Sequence, residues 1–375
     1  MLQQLLVYGL AVACIAATAI PFHKDETWWV RATDFPRAQI AVLIVATLAA
    51  MAALLEMTGF HLALGFVLLL CLGAQLAVIL PYTRLWPVQV RDADGATTPR
   101  TLSLLVVNVL MDNRAIDQLT RIIGSKDPDM VLAVETDDWW STRLQDALPS
   151  HFFKVAHPLS NTYGLILLSR LELIDPQVRF LLKPGIPSIL TGVRLRSGDV
   201  VTLYGLHPEP PAPGEADTSL PRDAELVLAG REIGEGGGAT IVAGDFNDVA
   251  WSHTSRLFRR ISRLLDPRVG RGMFNTFHAR YLVLRWPLDH VFVSDAFLLR
   301  RMERLPAFGS DHFPIYIALD HAPAASAVQE APAPDADDRA EARDKLMRAD
   351  ALARADHWVP SAPSGIEARA EAAIV

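Results

Sequence analysis

The N-terminal part of the chain contains three long apolar stretches that are separated by short polar turns. Each stretch is roughly 20 residues long and almost free of charged side chains: Leu2–Pro21, Ala38–Met57 and Phe60–Pro81. A run of ~20 apolar residues matches the ~30 Å hydrocarbon core of a bilayer. The pattern therefore predicts three transmembrane helices over residues 1–81. The first stretch is also compatible with a cleaved signal peptide, because Ala17–Ala19 resembles a cleavage site, although no Lys or Arg precedes it.

Between residues 101 and 320, shorter apolar runs alternate with helical patterns. Many of these runs are continuous Val, Ile and Leu, as expected for strands that are covered on both faces. Nine strands are predicted: Leu102–Asn108, Met130–Glu135, Phe152–Ala156, Leu165–Ser169, Ile189–Leu195, Val200–His207, Thr240–Asp245, His290–Ser294 and Phe313–Leu319. Four helices are predicted: Ala115–Ile123, Asp138–Leu148, Asp223–Ile233 and His253–Leu265. Few helices fall between the middle strands, which favours a two-sheet core flanked by helices.

The flanking segments differ from this domain in composition. Residues 82–100 are polar and predict a linker. After Asp320 the chain is rich in Ala, Pro and Asp. The stretch Asp335–Trp358 is compatible with a charged helix, but it has too few large apolar residues for a core. Residues 321–375 are therefore interpreted as a mostly disordered or charged helical tail.

Charge indicates an orientation and argues against a strongly basic nucleic-acid binder. Lys and Arg near the apolar stretches all lie in the first loop or after the third stretch: Lys24, Arg31, Arg37, Arg84, Arg91 and Arg100. Positive-inside counting therefore places the large domain in the cytoplasm, but only weakly, because acidic residues accompany the first group. Residues 101–320 carry 23 Lys and Arg against 26 Asp and Glu, a net charge of −3. The only cysteines, Cys14 and Cys71, lie in the apolar stretches, so the domain has no thiolate metal site.

Six predicted strands end in, or lie beside, residues that suit metal and phosphate chemistry. They are Asn108, Glu135, His207, Asp245 with Asn247, Asp289 with His290, and Asp311 with His312. Taken singly, each is as well explained by a turn, a helix start or a cap. Their order over about 205 residues is hard to attribute to chance. The sharpest of these motifs is the apolar run from Ile241 that ends in Gly-Asp-Phe-Asn.

In this order and spacing the motifs resemble those of the endonuclease/exonuclease/phosphatase superfamily of DNase I-like enzymes. The matching segments are Val106–Val109, Asp129–Glu135, Thr162–Arg170, Gly205–Pro208, Gly244–Asn247, Pro287–His290 and Ser310–Pro314. The resemblance covers residues ~102–319 and implies an α+β fold, a four-layer α/β sandwich with two packed mixed β-sheets flanked by helices. The site would lie at one end of the sheets. One departure is the acidic Thr-Asp-Asp sequence that follows Glu135.

The resemblance assigns metal binding to Asn108, Glu135 and Asp311. These side chains supply only oxygen ligands, which favour Mg²⁺ or Mn²⁺. With so few protein ligands, metal binding is expected to be completed by the phosphate of the substrate.

The remaining site residues are expected to act on water and phosphate. Asp245 is the candidate base, and Asn247 would orient the attacking water or hold the phosphate. Asp289 would pair with His312 and favour its charged form, so that His312 and His207 stabilise the transition state. His312 remains an alternative base. Tyr163 would donate to a phosphate oxygen, or would simply be an aromatic residue at the start of a buried strand.

The sequence therefore predicts a membrane-anchored, Mg²⁺-dependent phosphoesterase whose partners are a phosphate-containing substrate and the lipid bilayer, with no protein partner inferable. A lipid-linked phosphate is favoured because three helices would hold the site near the bilayer. A membrane-tethered nuclease stays open, since 11 of the domain's 23 basic residues lie between Arg256 and Arg304. An inactive membrane adaptor that keeps the fold is the third hypothesis. The expected location is a bacterial-type inner membrane. Membrane-anchored bacterial members of the family, which the chain resembles in its three N-terminal helices, carry an outward-facing catalytic domain. This resemblance implies an extracytoplasmic domain, whereas the charge distribution weakly indicates a cytoplasmic one.

Overall fold

The computed structural model describes residues 1–23 and 25–355, so Lys24 and residues 356–375 lie outside the described part. Four helices come first: α1 (Leu2–Ala19), α2 (Trp28–Ala32), α3 (Arg37–Leu54) and α4 (Gly59–Ile79). Three of them, α1, α3 and α4, are long and apolar enough to cross a membrane, judged by length and composition. They pack against one another through a small set of buried side chains, while many of their Leu, Val and Phe side chains remain exposed.

The rest of the described chain forms eleven strands and five helices, numbered in chain order. The strands are β1 (Thr101–Asn108), β2 (Met130–Val134), β3 (Phe153–His157), β4 (Leu165–Ser169), β5 (Glu172–Arg179), β6 (Ser188–Arg194), β7 (Val200–Leu206), β8 (Thr240–Asp245), β9 (Asp289–Val293), β10 (Phe297–Arg304) and β11 (Ile315–His321). The helices are α5 (Ile116–Lys126), α6 (Asp138–Ala147), α7 (Leu220–Gly236), α8 (His253–Ser262) and α9 (Ala336–Ala355). Short 3₁₀ helices cover Ile20–Phe22, Leu80–Tyr82 and Pro323–Ala327.

The strands make two mixed sheets. The first sheet has the order β10-β11-β1-β2-β4-β3, and the second has the order β5-β6-β7-β8-β9. Strands β1 and β2 are parallel, as are β7 and β8, and the other neighbouring pairs are antiparallel. The parallel strands bring their carboxyl ends to the same end of the sandwich.

Side-chain alternation along the strands builds the layers. In β1, Leu104 and Val106 face the second sheet and share a core with Ile241 of β8, whereas Leu105 and Val107 face α5 and α6. The outer face of the second sheet is covered by α7 and α8. The order of layers is helix, sheet, sheet, helix, which confirms the predicted four-layer α/β sandwich.

Two strands were not predicted, and both are edge strands. β5 contains Pro176 and a register shift between Ile174 and Gln177, features that weaken an apolar strand pattern. β10 reads Phe-Leu-Leu-Arg-Arg-Met-Glu-Arg, in which charged side chains replace the second half of the apolar run. Edge strands tolerate both features because one side of the strand is not paired.

The flanking segments are more ordered than the sequence indicated. Val90, in the predicted linker, is fully buried in the core between the sheets. Residues 336–355 form α9, within the stretch for which the sequence allowed a charged helix, and residues 356–375 of the predicted tail lie outside the described part. Leu346 and Ala349 of α9 are fully buried against α7 and α8. Small Ala side chains allow this close approach, so the helix docks with few large apolar residues.

Candidate active site

The predicted site residues meet at one end of the two sheets. Asn108 ends β1, Glu135 follows β2, His207 follows β7 and Asp245 ends β8. Asp289 begins β9 directly opposite Asp245 in the antiparallel register. Parallel pairing within each sheet and face-to-face packing of the sheets therefore gather residues from distant parts of the chain.

A short hydrogen-bonded chain connects the two sheets at this end. Asn108 donates from Nδ2 to Oε1 of Glu135 at 2.6 Å and to Oδ2 of Asp245 at 3.1 Å. The Oδ1 atom of Asn108 accepts a bond from the backbone N–H of Leu110 at 3.0 Å. Asn108 is fully buried, and Asp245 has an exposure of only 1%. These contacts hold both carboxylates in one orientation, as an active site requires.

Two of the site residues have left-handed backbone conformations that are rare outside glycine. Glu135 has a φ of 59° and Asn247 a φ of 52°. Holding a residue other than glycine in such a conformation costs about 1–3 kcal/mol, and residues of this kind cluster at functional sites. Asn247 is held by its own N–H, which donates to Oδ1 of Asp245 at 2.8 Å, and by its Nδ2, which donates to the carbonyl of Pro208 at 3.0 Å.

His312 lies between two carboxylates. Its Nδ1 is 2.7 Å from Oδ2 of Asp289, and its Nε2 is 3.5 Å from Oδ2 of Asp245. Burial by itself lowers the pKa of His312, but Asp289 and Asp245 outweigh it and raise the pKa to about 10. Burial also raises the pKa of Asp245, against the attraction of His312. The pair therefore combines a charged imidazole with a carboxylate more basic than a free aspartate.

His207 and Tyr163 lie beside this group. The two ring centroids are 5.6 Å apart, and Nδ1 of His207 is buried with no hydrogen-bond partner among the described residues. Burial lowers the pKa of His207 to about 4, so the imidazole is neutral near pH 7 and can donate only one hydrogen bond. The hydroxyl of Tyr163 donates to Oε2 of Glu215 at 2.6 Å. Tyr163 is thus at the site, but its hydroxyl is bonded to a residue that the sequence analysis did not consider.

The residues assigned to metal binding do not form one contact cluster. Asp311 is adjacent to His312 but has no described contact with Asn108 or Glu135. Its influence is electrostatic: burial raises the pKa of Glu135 to about 7, and the carboxylates of Asp245 and Asp311 add to that shift. Among the described residues, the only hydrogen bond of the Glu135 side chain comes from Asn108. A cation would relieve this crowding of negative charge, so the oxygen donors fit a hard divalent metal.

Another potential metal group is the set Asp245, Asp289 and His312, whose ligand atoms lie within 4.8 Å of one another. We do not interpret it as the metal site. The Nδ1 of His312 is engaged with Asp289, and a protonated imidazole has no lone pair for a metal. Geometry therefore separates an acid–base group around His312 from an oxygen-rich group around Glu135.

Two further residues, whose roles the sequence did not predict, hold this geometry. Arg222 of α7 is 1% exposed and donates to the backbone carbonyl of Asn247 at 2.8 Å. Ser310 donates from Oγ to the carbonyl of Asn108 at 2.8 Å and accepts from the N–H of His312 at 3.0 Å. Nothing in the charged sequence of α7 marks Arg222 as buried. Pairings over such long sequence separations leave no local pattern.

The arginines that follow the Gly-Asp-Phe-Asn motif are largely committed to internal pairs. Arg259 donates to Gln89, Arg260 to Asp338, Arg268 to Asp266 and Arg271 to Asp92. Arg260 joins the domain to α9, Arg259 and Arg271 join it to the segment after α4, and Arg268 pairs locally. These four arginines therefore stabilise the fold and do not form a free surface for nucleic-acid phosphates.

The apolar helices end directly beside the site. Tyr82, just after α4, donates its hydroxyl to the carbonyl of Ala250 at 2.7 Å. Trp251 donates from Nε1 to the carbonyl of Asp34, in the loop before α3, at 2.9 Å. Ala250 and Trp251 lie within four residues of Asn247, and Leu288, next to Asp289, belongs to the same buried cluster.

Fold and site together define a class of protein, the phosphoester hydrolases built on two packed mixed sheets. The sequence model of the Endonuclease/Exonuclease/phosphatase family matches residues 105–312, more than half of the 375-residue chain. The chain belongs to this family. Members of the family are metal-dependent phosphoesterases and nucleases, and the protein is an enzyme of that kind.

Several solved structures are similar to this chain. The endonuclease/exonuclease/phosphatase from Bacteroides vulgatus matches with a TM-score of 0.49 and 16% identity, over 60% of this chain and 100% of that one. The D. rerio TDP2 protein humanized by 14 mutations matches with a TM-score of 0.48 and 18% identity, over 59% and 99%. The human Nocturnin catalytic domain with bound sulfate matches with a TM-score of 0.48 and 16% identity, over 60% and 96%. No curated protein gives a significant match to the sequence.

Proposed function

We propose that the protein is a membrane-anchored, Mg²⁺-dependent phosphoesterase that hydrolyses a phosphate ester or pyrophosphate bond of a lipid-linked substrate. The observation that carries this proposal is the position of the apolar helices. Their ends contact Ala250, Trp251 and Leu288, the segments that follow Asn247 and precede Asp289. If these helices span a bilayer, the catalytic end of the sandwich lies near its surface.

The site chemistry fits in-line attack by water on phosphorus. Asp245 accepts the proton of the attacking water, whose oxygen bonds to phosphorus while the bond from phosphorus to the leaving oxygen breaks. Raised basicity suits Asp245 for this role. His312, charged and held by Asp289, stabilises the negative charge of the transition state. A divalent metal held by Glu135, Asp311 and Asn108, when bound, would polarise a phosphate oxygen.

The competing functions have less support. A nuclease needs a basic surface that follows the phosphate backbone. However, four of the 11 basic residues between Arg256 and Arg304 are engaged in internal pairs. An inactive adaptor would not need to maintain the contacts among Asn108, Glu135 and Asp245. The lipid-linked substrate is therefore our principal proposal, and nucleic acid is an outcome that the experiment must be able to reveal.

The test uses the full-length protein in lipid nanodiscs, because the catalytic domain packs against the apolar helices and against Val90 and α9. Three substrates are offered with Mg²⁺ or with EDTA: a prenyl pyrophosphate in the bilayer, bis(p-nitrophenyl) phosphate and plasmid DNA. We expect Mg²⁺-dependent hydrolysis of the prenyl pyrophosphate. Cleavage of DNA alone would replace the proposal by the nuclease function, and cleavage of none would support the inactive adaptor.

A matched pair of variants tests the mechanism. Asp245→Asn keeps the shape of the side chain but removes the base, and we expect a loss of turnover of at least about 100-fold. Asp146→Asn makes the same change at an exposed position late in α6 and should leave turnover unchanged. Equal activity of the two variants would contradict the assignment of Asp245.

A further inference from the structure

One loop of the catalytic domain exposes an unusual amount of apolar surface. Tyr281, Leu282, Val283 and Leu284 have exposures of 57%, 79%, 69% and 47%. Outside α1, α3 and α4, this is the longest run of consecutive exposed large hydrophobic residues in the described chain. Single exposed apolar side chains are ordinary, but a contiguous run indicates a surface that something covers.

The tip of this loop lies at the level where α3 begins. Gln39, in the first turn of α3, donates from Nε2 to the backbone carbonyl of Val283 at 2.7 Å. Trp286, just beyond the tip, contacts Phe35 edge-to-face at 5.6 Å. A helix rises only about 1.5 Å per residue, so the tip is within a few ångströms of the point where the predicted span starts.

The base of the same loop rests on the catalytic residues. The N–H of Ala279 donates to the backbone carbonyl of Asp311 at 2.6 Å. The Phe277 ring lies 5.0 Å from the ring of His312, and the guanidinium of Arg285 lies 5.0 Å from the ring of Phe313. The loop thus runs from the edge of the active site to the start of α3.

Charge is distributed along the loop as expected for a segment at a lipid surface. The apolar tip is flanked by Arg280 and Arg285, which bond to backbone carbonyls of Gly309 and Ala279 near the base. Apolar side chains toward the hydrocarbon and basic side chains toward the headgroups are the arrangement of interfacial segments. The partner that this chemistry fits is a bilayer.

We propose that the Tyr281–Leu284 tip inserts into the surface layer of the bilayer spanned by α1, α3 and α4, and holds the Asp311–His312 edge of the site against the lipid headgroups. The inference rests on the proposed membrane anchoring. It adds a second, catalytic-side contact with lipid, which limits how far the site can tilt away from a lipid-borne phosphate.

The experiment measures which solvent surrounds the loop in the full-length protein in nanodiscs. A Leu282→Cys variant, with Cys14 and Cys71 replaced by Ala, carries an environment-sensitive fluorophore. Quenching is measured with iodide from water and with lipids spin-labelled near the top of the acyl chain. Phe152→Cys is the matched control, since Phe152 is also 79% exposed but lies by β3 at the opposite end of the sandwich. Leu85→Cys, three residues after Tyr82, reports on the anchoring itself.

We expect lipid quenching and iodide protection for the dye on Leu282→Cys, and the reverse for Phe152→Cys. Iodide quenching of the Leu282→Cys dye equal to that of Phe152→Cys, with Leu85→Cys quenched by lipid, would overturn the loop inference while the anchoring stands. If Leu85→Cys also fails to respond to lipid, the anchoring and the loop inference both fail. Protection from iodide without lipid quenching would mean that protein covers the tip, and would equally overturn the inference.

Discussion

His312 and Asp289 form a 2.7 Å contact that links the two sheets at the active site, because Asp289 begins β9 of the second sheet and His312 precedes β11 of the first. Both side chains in this contact are buried, with exposed fractions of 5% or less. In so dry an environment the carboxylate both orients the imidazole and favours its charged form. The geometry of the site therefore depends on how the sheets pack.

The first prediction concerns this contact. Asp289→Asn keeps the shape of the side chain but removes its charge, so we expect kcat to fall by about 100-fold while KM changes little. A steady-state assay of the full-length protein measures both constants. The control is Asp146→Asn, which should match the wild type. A change confined to KM would mean that Asp289 acts in substrate binding and not in positioning His312.

The second prediction concerns metal binding by Glu135. Glu135→Gln removes the charge of a proposed metal ligand but keeps the size of the side chain. We expect the Mg²⁺ concentration for half-maximal activity to rise at least about tenfold. A Mg²⁺ titration of activity after EDTA treatment measures the shift. Glu235→Gln, at a side chain that is 70% exposed near the end of α7, should leave the titration unchanged. An unshifted Glu135→Gln curve would remove Glu135 from the metal site.

The third prediction concerns α9. The Nζ of Lys345 lies 2.8 Å from Oε1 of Glu26 and 2.9 Å from Oδ2 of Asp223, and its side chain is 5% exposed. Lys345→Met leaves two buried carboxylates without this partner, so we expect a loss of about 3–5 kcal/mol in the free energy of unfolding. Denaturant unfolding in detergent measures it. Arg339→Met, at an exposed position of the same helix, should change stability by less than about 0.5 kcal/mol. Equal losses for the two variants would contradict a specific contribution of the buried Lys345 contacts to stability.

The fourth prediction concerns acid. Burial alone would raise the pKa of Asp223, but Lys345 and Arg222 outweigh it and hold the pKa far below its usual range. The unfolded chain takes up this proton near pH 4, so the stabilisation is complete above about pH 4 and declines as the pH falls toward the folded-state pKa. We expect this group to contribute a slope of up to about 1.4 kcal/mol per pH unit. Between about pH 5 and 3, the free energy of unfolding should fall less steeply with pH for Asp223→Asn than for the wild type. An unchanged slope would contradict the pairing.

Much of the fold was predictable because strands covered on both faces are continuous apolar runs. β1, β2 and β8 are of this kind, and each ends in, or is directly followed by, a polar residue that reaches the site. The edge strands β5 and β10 escaped prediction because their exposed positions carry charges and a proline. Helix α9 was undervalued because its docking depends on Ala side chains and on a buried lysine.

The site was predictable as a set of residue types, but not as a set of contacts. The grouping of Asn108, Glu135 and Asp245 follows from strand order. The bond from Tyr163 to Glu215, and the one from Arg222 to the carbonyl of Asn247, join segments whose relative positions only the folded chain defines. Local pattern carries no information about such pairs.

The proposed function requires that the site act on lipid-borne phosphate in the same membrane that α1, α3 and α4 span. The most direct test places a prenyl pyrophosphate either in the same nanodisc as the full-length protein or in separate nanodiscs, and measures phosphate release with Mg²⁺. We expect release when enzyme and substrate share a bilayer, and little release when they do not. Equal rates in the two arrangements, or no release in either, would contradict it.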